Sequence, residues 1–157
     1  MRDIRSIKAA VFDLDGTLLD STAAWEGLGE RYLAGRGITP EPGLDEKLRC
    51  MTLTDGSAYL KSAYSLPEPP DEILRDILRG IEEFYLAECP LKPGAQELLV
   101  LLSRRGVGIS AATAGDERLA RAALERLGVL GYFSALLTCE GYGGKDKPDI
   151  FLNAAAA

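Results

Sequence analysis

Two aspartates, Asp13 and Asp15, stand two residues apart in the run Val11-Phe12-Asp13-Leu14-Asp15-Gly16-Thr17. Carboxylates this close repel each other and are costly to keep ionised together without a cation. A magnesium ion would relieve that repulsion and would also bind an oxygen of a phosphate group. Gly16 allows a backbone angle that other residues disfavour, so the chain can turn sharply just after Asp15. The 157 residues contain no histidine. Ser-His and Cys-His mechanisms are therefore excluded and a zinc site is disfavoured. Chemistry here must run on carboxylates, lysine, hydroxyls and a hard cation.

The elements that position these residues can be read from local patterning. Lys8 to Asp13 holds four consecutive apolar residues, which predicts a strand buried on both faces of a parallel sheet. Ligands of open α/β sheets bind beyond the carboxyl ends of their strands, where Asp13 falls. Asp20 or Ser21 is the expected cap of a helix carrying Trp25, Leu28, Tyr32 and Leu33 and ending near Gly37. Shorter helices are expected over Leu44–Met51 and Thr54–Tyr64. An amphipathic helix is expected from about Asp71 to Glu88, with Ile73, Leu74, Ile77, Leu78, Ile81, Phe84 and Tyr85 on its apolar face. After Pro90 the pattern alternates: helix over Gly94–Arg105, strand over Val107–Ala112, helix after Asp116, strand over Ala135–Cys139, and a last helix opened by Pro148-Asp149. The fold class expected is α/β: a parallel-sheet core from residues 1–17 and 90–157, with a helical block, 18–89, inserted after the first strand.

Composition narrows the partners. The formal net charge of −6 disfavours non-specific binding to nucleic acid or to an anionic membrane. No apolar run reaches the roughly 18 residues of a membrane span, and the N-terminus lacks the pattern of a signal peptide. The three cysteines, Cys50, Cys89 and Cys139, are widely spaced, as suits reduced thiols. A cytoplasmic location is the expectation.

Asp-x-Asp-Gly-Thr at the end of a first apolar strand resembles the first motif of the haloacid dehalogenase superfamily. Thr113, ending the Val107 strand, is similar to the second motif. Lys145, ahead of Pro148-Asp149-Ile150-Phe151, is similar to the third, with Lys147 the other lysine nearby. The helical block resembles the four-helix cap of the family's first subfamily, and the core is then Rossmann-like. The resemblance implies a magnesium-dependent phosphatase acting on a small phosphorylated metabolite, or alternatively a sugar phosphomutase similar to β-phosphoglucomutase. It implies that Asp13 attacks phosphorus and forms an aspartyl-phosphate, and that Asp15 serves as general acid and then general base. Magnesium would be held by the Asp13 side chain and the Asp15 backbone carbonyl. Thr113 would donate to a phosphate oxygen and Lys145 would neutralise charge on the phosphoryl group. Family members that cleave carbon–halogen or carbon–phosphorus bonds lack the acid matching Asp15, so its presence favours phosphate esters. Lys47 and Arg49, in the helical block, are candidates to meet a distal charge on the substrate.

The family's fourth motif, an acidic Gly-Asp-rich stretch that supplies a third carboxylate to magnesium, has no match in the 157 residues. The expectation is a chain truncated before that motif. Such a piece by itself should bind magnesium weakly and turn over poorly.

Overall fold

The structure, a computed structural model, describes residues 7–138. Cys139, Lys145, Lys147 and the helix expected at Pro148-Asp149 lie outside the described residues. The chain forms two compact units: residues 1–21 with 85–157, and residues 22–84.

The first unit carries a parallel sheet of three strands in the order β1-β2-β3: Ala9–Phe12, Gly108–Thr113 and Ala135–Thr138. Ala9 pairs with Gly108 and Phe12 with Ala111; Ser110 pairs with Ala135 and Thr113 with Thr138. Helix α6 (Ala95–Arg104) packs on β2 and helix α7 (Glu117–Arg126) on β3. Leu99, Ala111, Ala112, Ala123, Leu124 and Val129 are all fully buried. The paired alanines of β2 let neighbouring elements approach the central strand closely. The α/β architecture and parallel sheet expected from the sequence are present. β1, however, is half-buried, with Ala9 exposed. Among the described residues it pairs only with β2, which leaves it at the sheet edge.

Helix ends in this unit follow local chemistry. Asp116 caps α7, its Oδ1 accepting from the amides of Arg118 at 2.7 Å and Leu119 at 3.3 Å. A 3₁₀ turn, Leu130–Tyr132, joins α7 to β3. Within the same unit, Leu18–Asp20 lies beside Pro90–Lys92. The Asp20 amide donates to the Pro90 carbonyl at 2.8 Å and the Lys92 amide to the Leu18 carbonyl at 2.8 Å. Lys92 Nζ also reaches Asp20 Oδ1 at 2.8 Å. Of the two expected caps, Asp20 is thus taken up in an ion pair, and Ser21 directly precedes the helix that begins at Thr22.

The second unit is helical: α1 (Thr22–Trp25), α2 (Leu28–Ala34), α3 (Leu44–Leu48), α4 (Leu53–Tyr64) and most of α5 (Pro70–Ala87). Its buried side chains include Leu33, Leu44, Leu60 and Ile73. The single helix expected after Asp20 is two helices. Gly27, at φ +64°, breaks the run, and its amide donates to Asp45 Oδ1 at 2.8 Å. A left-handed residue cannot continue an α-helix, and the apolar spacing across the break does not reveal it.

Candidate active site

β1 and β2 run parallel, so their carboxyl ends lie at one edge of the sheet. Asp13 follows the last residue of β1, and Thr113 is the last residue of β2. The segment after Asp13 folds into a tight turn. The Leu14 carbonyl accepts from the amides of Thr17, Leu18 and Leu19 at 2.9–3.1 Å, and Gly16, at φ +73°, donates to the Leu19 carbonyl at 3.0 Å. Leu14, Leu18 and Leu19 are buried and anchor the turn, whereas Asp13 and Asp15 stay half-buried. The apolar anchors hold the turn while the two carboxylates keep access to water.

Asp15 is held from two sides. The Tyr85 hydroxyl donates to Oδ1 at 2.6 Å, and the Thr113 hydroxyl donates to Oδ2 at 3.3 Å. Thr113 Oγ1 in turn accepts from the Gly115 amide at 3.0 Å. Asp13 Oδ1 accepts from the Leu14 amide at 2.9 Å. Thr113 is fully buried, and Tyr85 is 5% exposed. The structure therefore brings Asp15 and Thr113 into contact across 98 positions of sequence. Asp13 is placed two residues from Asp15, on the same turn.

Tyr85 and Gly115 are neighbours of Asp15 that the sequence does not single out. Tyr85 reads as one more apolar position on α5. A buried tyrosine hydroxyl nonetheless needs a hydrogen-bond partner, and that was the available clue. A Cβ at Gly115 would lie 3.0 Å from Asp15 Oδ2 and 3.4 Å from Thr113 Oγ1. A side chain there would crowd Oδ2, which would have to shift by a few tenths of an ångström.

Arg126 of α7 donates to the backbone carbonyls of Tyr85 at 3.4 Å and of Cys89. It satisfies carbonyls at the end of α5, which have no partner within the helix. Cys89 is fully buried. Burial pushes its thiol up to about 11, Asp15 and then Asp20 push the same way, and Arg126 opposes them. With a thiol pKa of about 11, only ~10⁻³ of Cys89 is thiolate at pH 8. Cys50 is exposed. In full-length protein, therefore, Ellman's reagent at pH 8 should label Cys50 promptly and Cys89 only after denaturation. Mass spectrometry of the labelled peptides checks this, and rapid labelling of native Cys89 would contradict its burial.

Lys47 and Arg49 stand in the helical unit, and each has partners there. Lys47 Nζ is 2.7 Å from the Tyr59 hydroxyl and 3.6 Å from Glu41 Oε1. Arg49 pairs with Asp45 Oδ2 at 2.7 Å, and this contact, followed by the Gly27 amide, holds the Asp45 carboxyl below its ordinary range. Arg49 also lines a cavity of about 280 Å³ with Trp25, Leu48, Met51, Leu53 and Leu60.

The donor set suits a hard cation. Asp13 and Asp15 offer oxygen alone, and the chain has no histidine. Among the described residues no cluster of three or more acidic or cysteine side chains could hold a metal. Two half-buried carboxylates on one turn fit magnesium, which keeps several waters and binds through one or two carboxylates and substrate phosphate. Among the described residues no helix is long and apolar enough to cross a membrane.

The chain is similar to known proteins in sequence and in fold. A phosphoglycolate phosphatase from Agrobacterium fabrum is 32% identical over 146 residues, covering 89% of this chain and 61% of the relative, so the chain spans less than two thirds of its length. A crystal structure of a candidate β-phosphoglucomutase from Thermotoga maritima superposes with a TM-score of 0.82 at 21% identity, covering 94% of this chain and 69% of that one. A magnesium-bound HAD-hydrolase from Bacillus subtilis superposes with a TM-score of 0.70 at 19% identity, covering 94% and 72%. At such identities the structural likeness establishes a shared fold. The model of the haloacid dehalogenase-like hydrolase family matches residues 7–157, and the chain belongs to that family.

Proposed function

We propose that the full-length protein is a magnesium-dependent phosphatase that hydrolyses a small phosphorylated metabolite through an aspartyl-phosphate at Asp13. The observation that carries this reading is the meeting of Asp15 with Thr113, 3.3 Å apart, on the turn that also holds Asp13. It supports the reading because Asp13, Asp15 and Thr113 stand together at the carboxyl ends of two paired strands.

In this reading an Asp13 carboxylate oxygen attacks phosphorus, and the bond from phosphorus to the ester oxygen breaks. Asp15, protonated, gives its proton to the departing alkoxide. Water then attacks the phosphorus of the acyl phosphate while Asp15, now ionised, takes the water's proton. Phosphate leaves, and Asp13 and Asp15 return to their starting states. The Thr113 hydroxyl exchanges its long contact with Asp15 for a phosphate oxygen. Lys145 is assigned to phosphoryl charge on its motif alone. Magnesium, held by the Asp13 carboxylate and the Asp15 carbonyl, would supply charge neutralisation of the phosphoryl oxygens. The helical unit would act as the cap, with Lys47 and Arg49 its candidate contacts to a distal substrate charge.

The test is a screen of the full-length protein against phosphorylated metabolites, with magnesium and with a chelator. Release of inorganic phosphate that requires magnesium is expected. An isomerised sugar phosphate without net phosphate release would instead indicate a phosphomutase. No turnover of any phosphate ester would end the proposal.

A further inference from the structure

The two oxygens of Asp15 stand in unlike surroundings. Oδ1 accepts a 2.6 Å hydrogen bond from the phenol of the buried Tyr85, a short contact. Among the described residues, Oδ2 has the longer, 3.3 Å contact with Thr113 and lies beside Gly115. Thr113 and Gly115 end and follow β2, at the sheet edge where a phosphate would lie. Tyr85 approaches from the opposite direction in the chain, at the end of α5, and Arg126 holds the backbone there through the carbonyls of Tyr85 and Cys89.

Resting on the reading of Asp15 as acid and base, we infer that Tyr85 is a positioning residue that fixes Oδ1, so that Oδ2 is the oxygen that carries the proton. A carboxyl group rotates about the bond joining it to the β-carbon, and rotation would exchange its two oxygens. The phenol hydrogen bond holds one oxygen as an acceptor and opposes that exchange in either protonation state, with charge assistance when Asp15 is ionised. Gly115 completes the arrangement, since a Cβ there would press on Oδ2 at 3.0 Å. Tyr85 does not touch the reacting atoms; its effect is on where and how the proton is presented.

The consequence depends on the leaving group. An acid catalyst matters most for an ester whose departing oxygen is a poor leaving group. Phenyl phosphate needs the proton; 4-nitrophenyl phosphate, whose phenolate leaves readily, needs it much less. In the full-length protein with magnesium, Tyr85→Phe should lower kcat/KM for phenyl phosphate by about 10- to 100-fold. For 4-nitrophenyl phosphate the fall should be no more than about 3-fold. Gly115→Ala, which crowds Oδ2 from the other side, should shift the ratio of the two substrates in the same direction.

Asp15→Asn serves as the reference. If it leaves kcat/KM unchanged for both esters, the acid role of Asp15 is wrong. If Asp15→Asn discriminates between the esters but Tyr85→Phe lowers both by one factor, or neither, Tyr85 is structural only and this inference is overturned while the phosphatase reading stands. Thermal unfolding of each variant reports whether it folds. Should Tyr85→Phe fail to fold, Gly115→Ala decides: an unchanged substrate ratio there overturns the assignment of Oδ2.

Discussion

Asp13→Asn in the full-length protein is expected to lower phosphate release by roughly 10⁴-fold or more, since a nucleophile has no partial substitute. The amide nitrogen is not a competent nucleophile, and the remaining amide oxygen is a far weaker one than a carboxylate. The exchange is close to isosteric, and Asp13 is half-buried at the end of β1 rather than packed in the core. Thermal stability should therefore change little. Two measurements check this: phosphate release under saturating magnesium, and trapping of the acyl phosphate by hydroxylamine. Hydroxylamine should modify Asp13 in the active protein during turnover and modify nothing in the variant. A variant that retained its rate would remove Asp13 from the reaction altogether.

Asp15→Asn should cost about 10²- to 10⁴-fold in turnover of alkyl phosphate esters, the span expected for losing one general acid–base group. The signature is more informative than the size. Asparagine cannot take a proton from water, so breakdown of the acyl phosphate slows even where its formation does not. With 4-nitrophenyl phosphate, whose leaving group needs little help, the variant should release about one equivalent of nitrophenolate in a rapid burst and then turn over slowly. Asparagine can still accept the Tyr85 hydrogen bond through its oxygen, so the site should keep its shape. A uniform slowing without a burst would mean that Asp15 acts before, and not after, the acyl phosphate forms.

How far these residues could be read from sequence depended on whether their signals were local. The turn after Asp13 is encoded within a few residues: apolar Val11 and Phe12, a glycine at 16, and leucines at 14, 18 and 19 that bury themselves. The cap of α7 at Asp116 and the strand ending in Thr113 are local in the same way. Where the reading went astray, a tertiary contact competed with a local preference. Asp20 bonds to Lys92, leaving Ser21, the other expected cap, directly ahead of α1, and Gly27 breaks a helix whose apolar spacing seemed continuous.

The sequence by itself determined the α/β class, the aspartate pair at the mouth of the first strand and, through the absence of histidine, the kind of chemistry open to the chain. These follow from short-range rules of hydrophobic spacing, turn preference and donor type, which act within a dozen residues. Only the tertiary structure decided what surrounds Asp15. Tyr85 lies 70 positions away and Thr113 lies 98, and no periodicity in the chain says that a tyrosine on an apolar helix face will turn its hydroxyl to a carboxylate. A buried phenol is favoured by an acceptor, which the Tyr32 hydroxyl lacks among the described residues, and which acceptor Tyr85 finds is settled by packing.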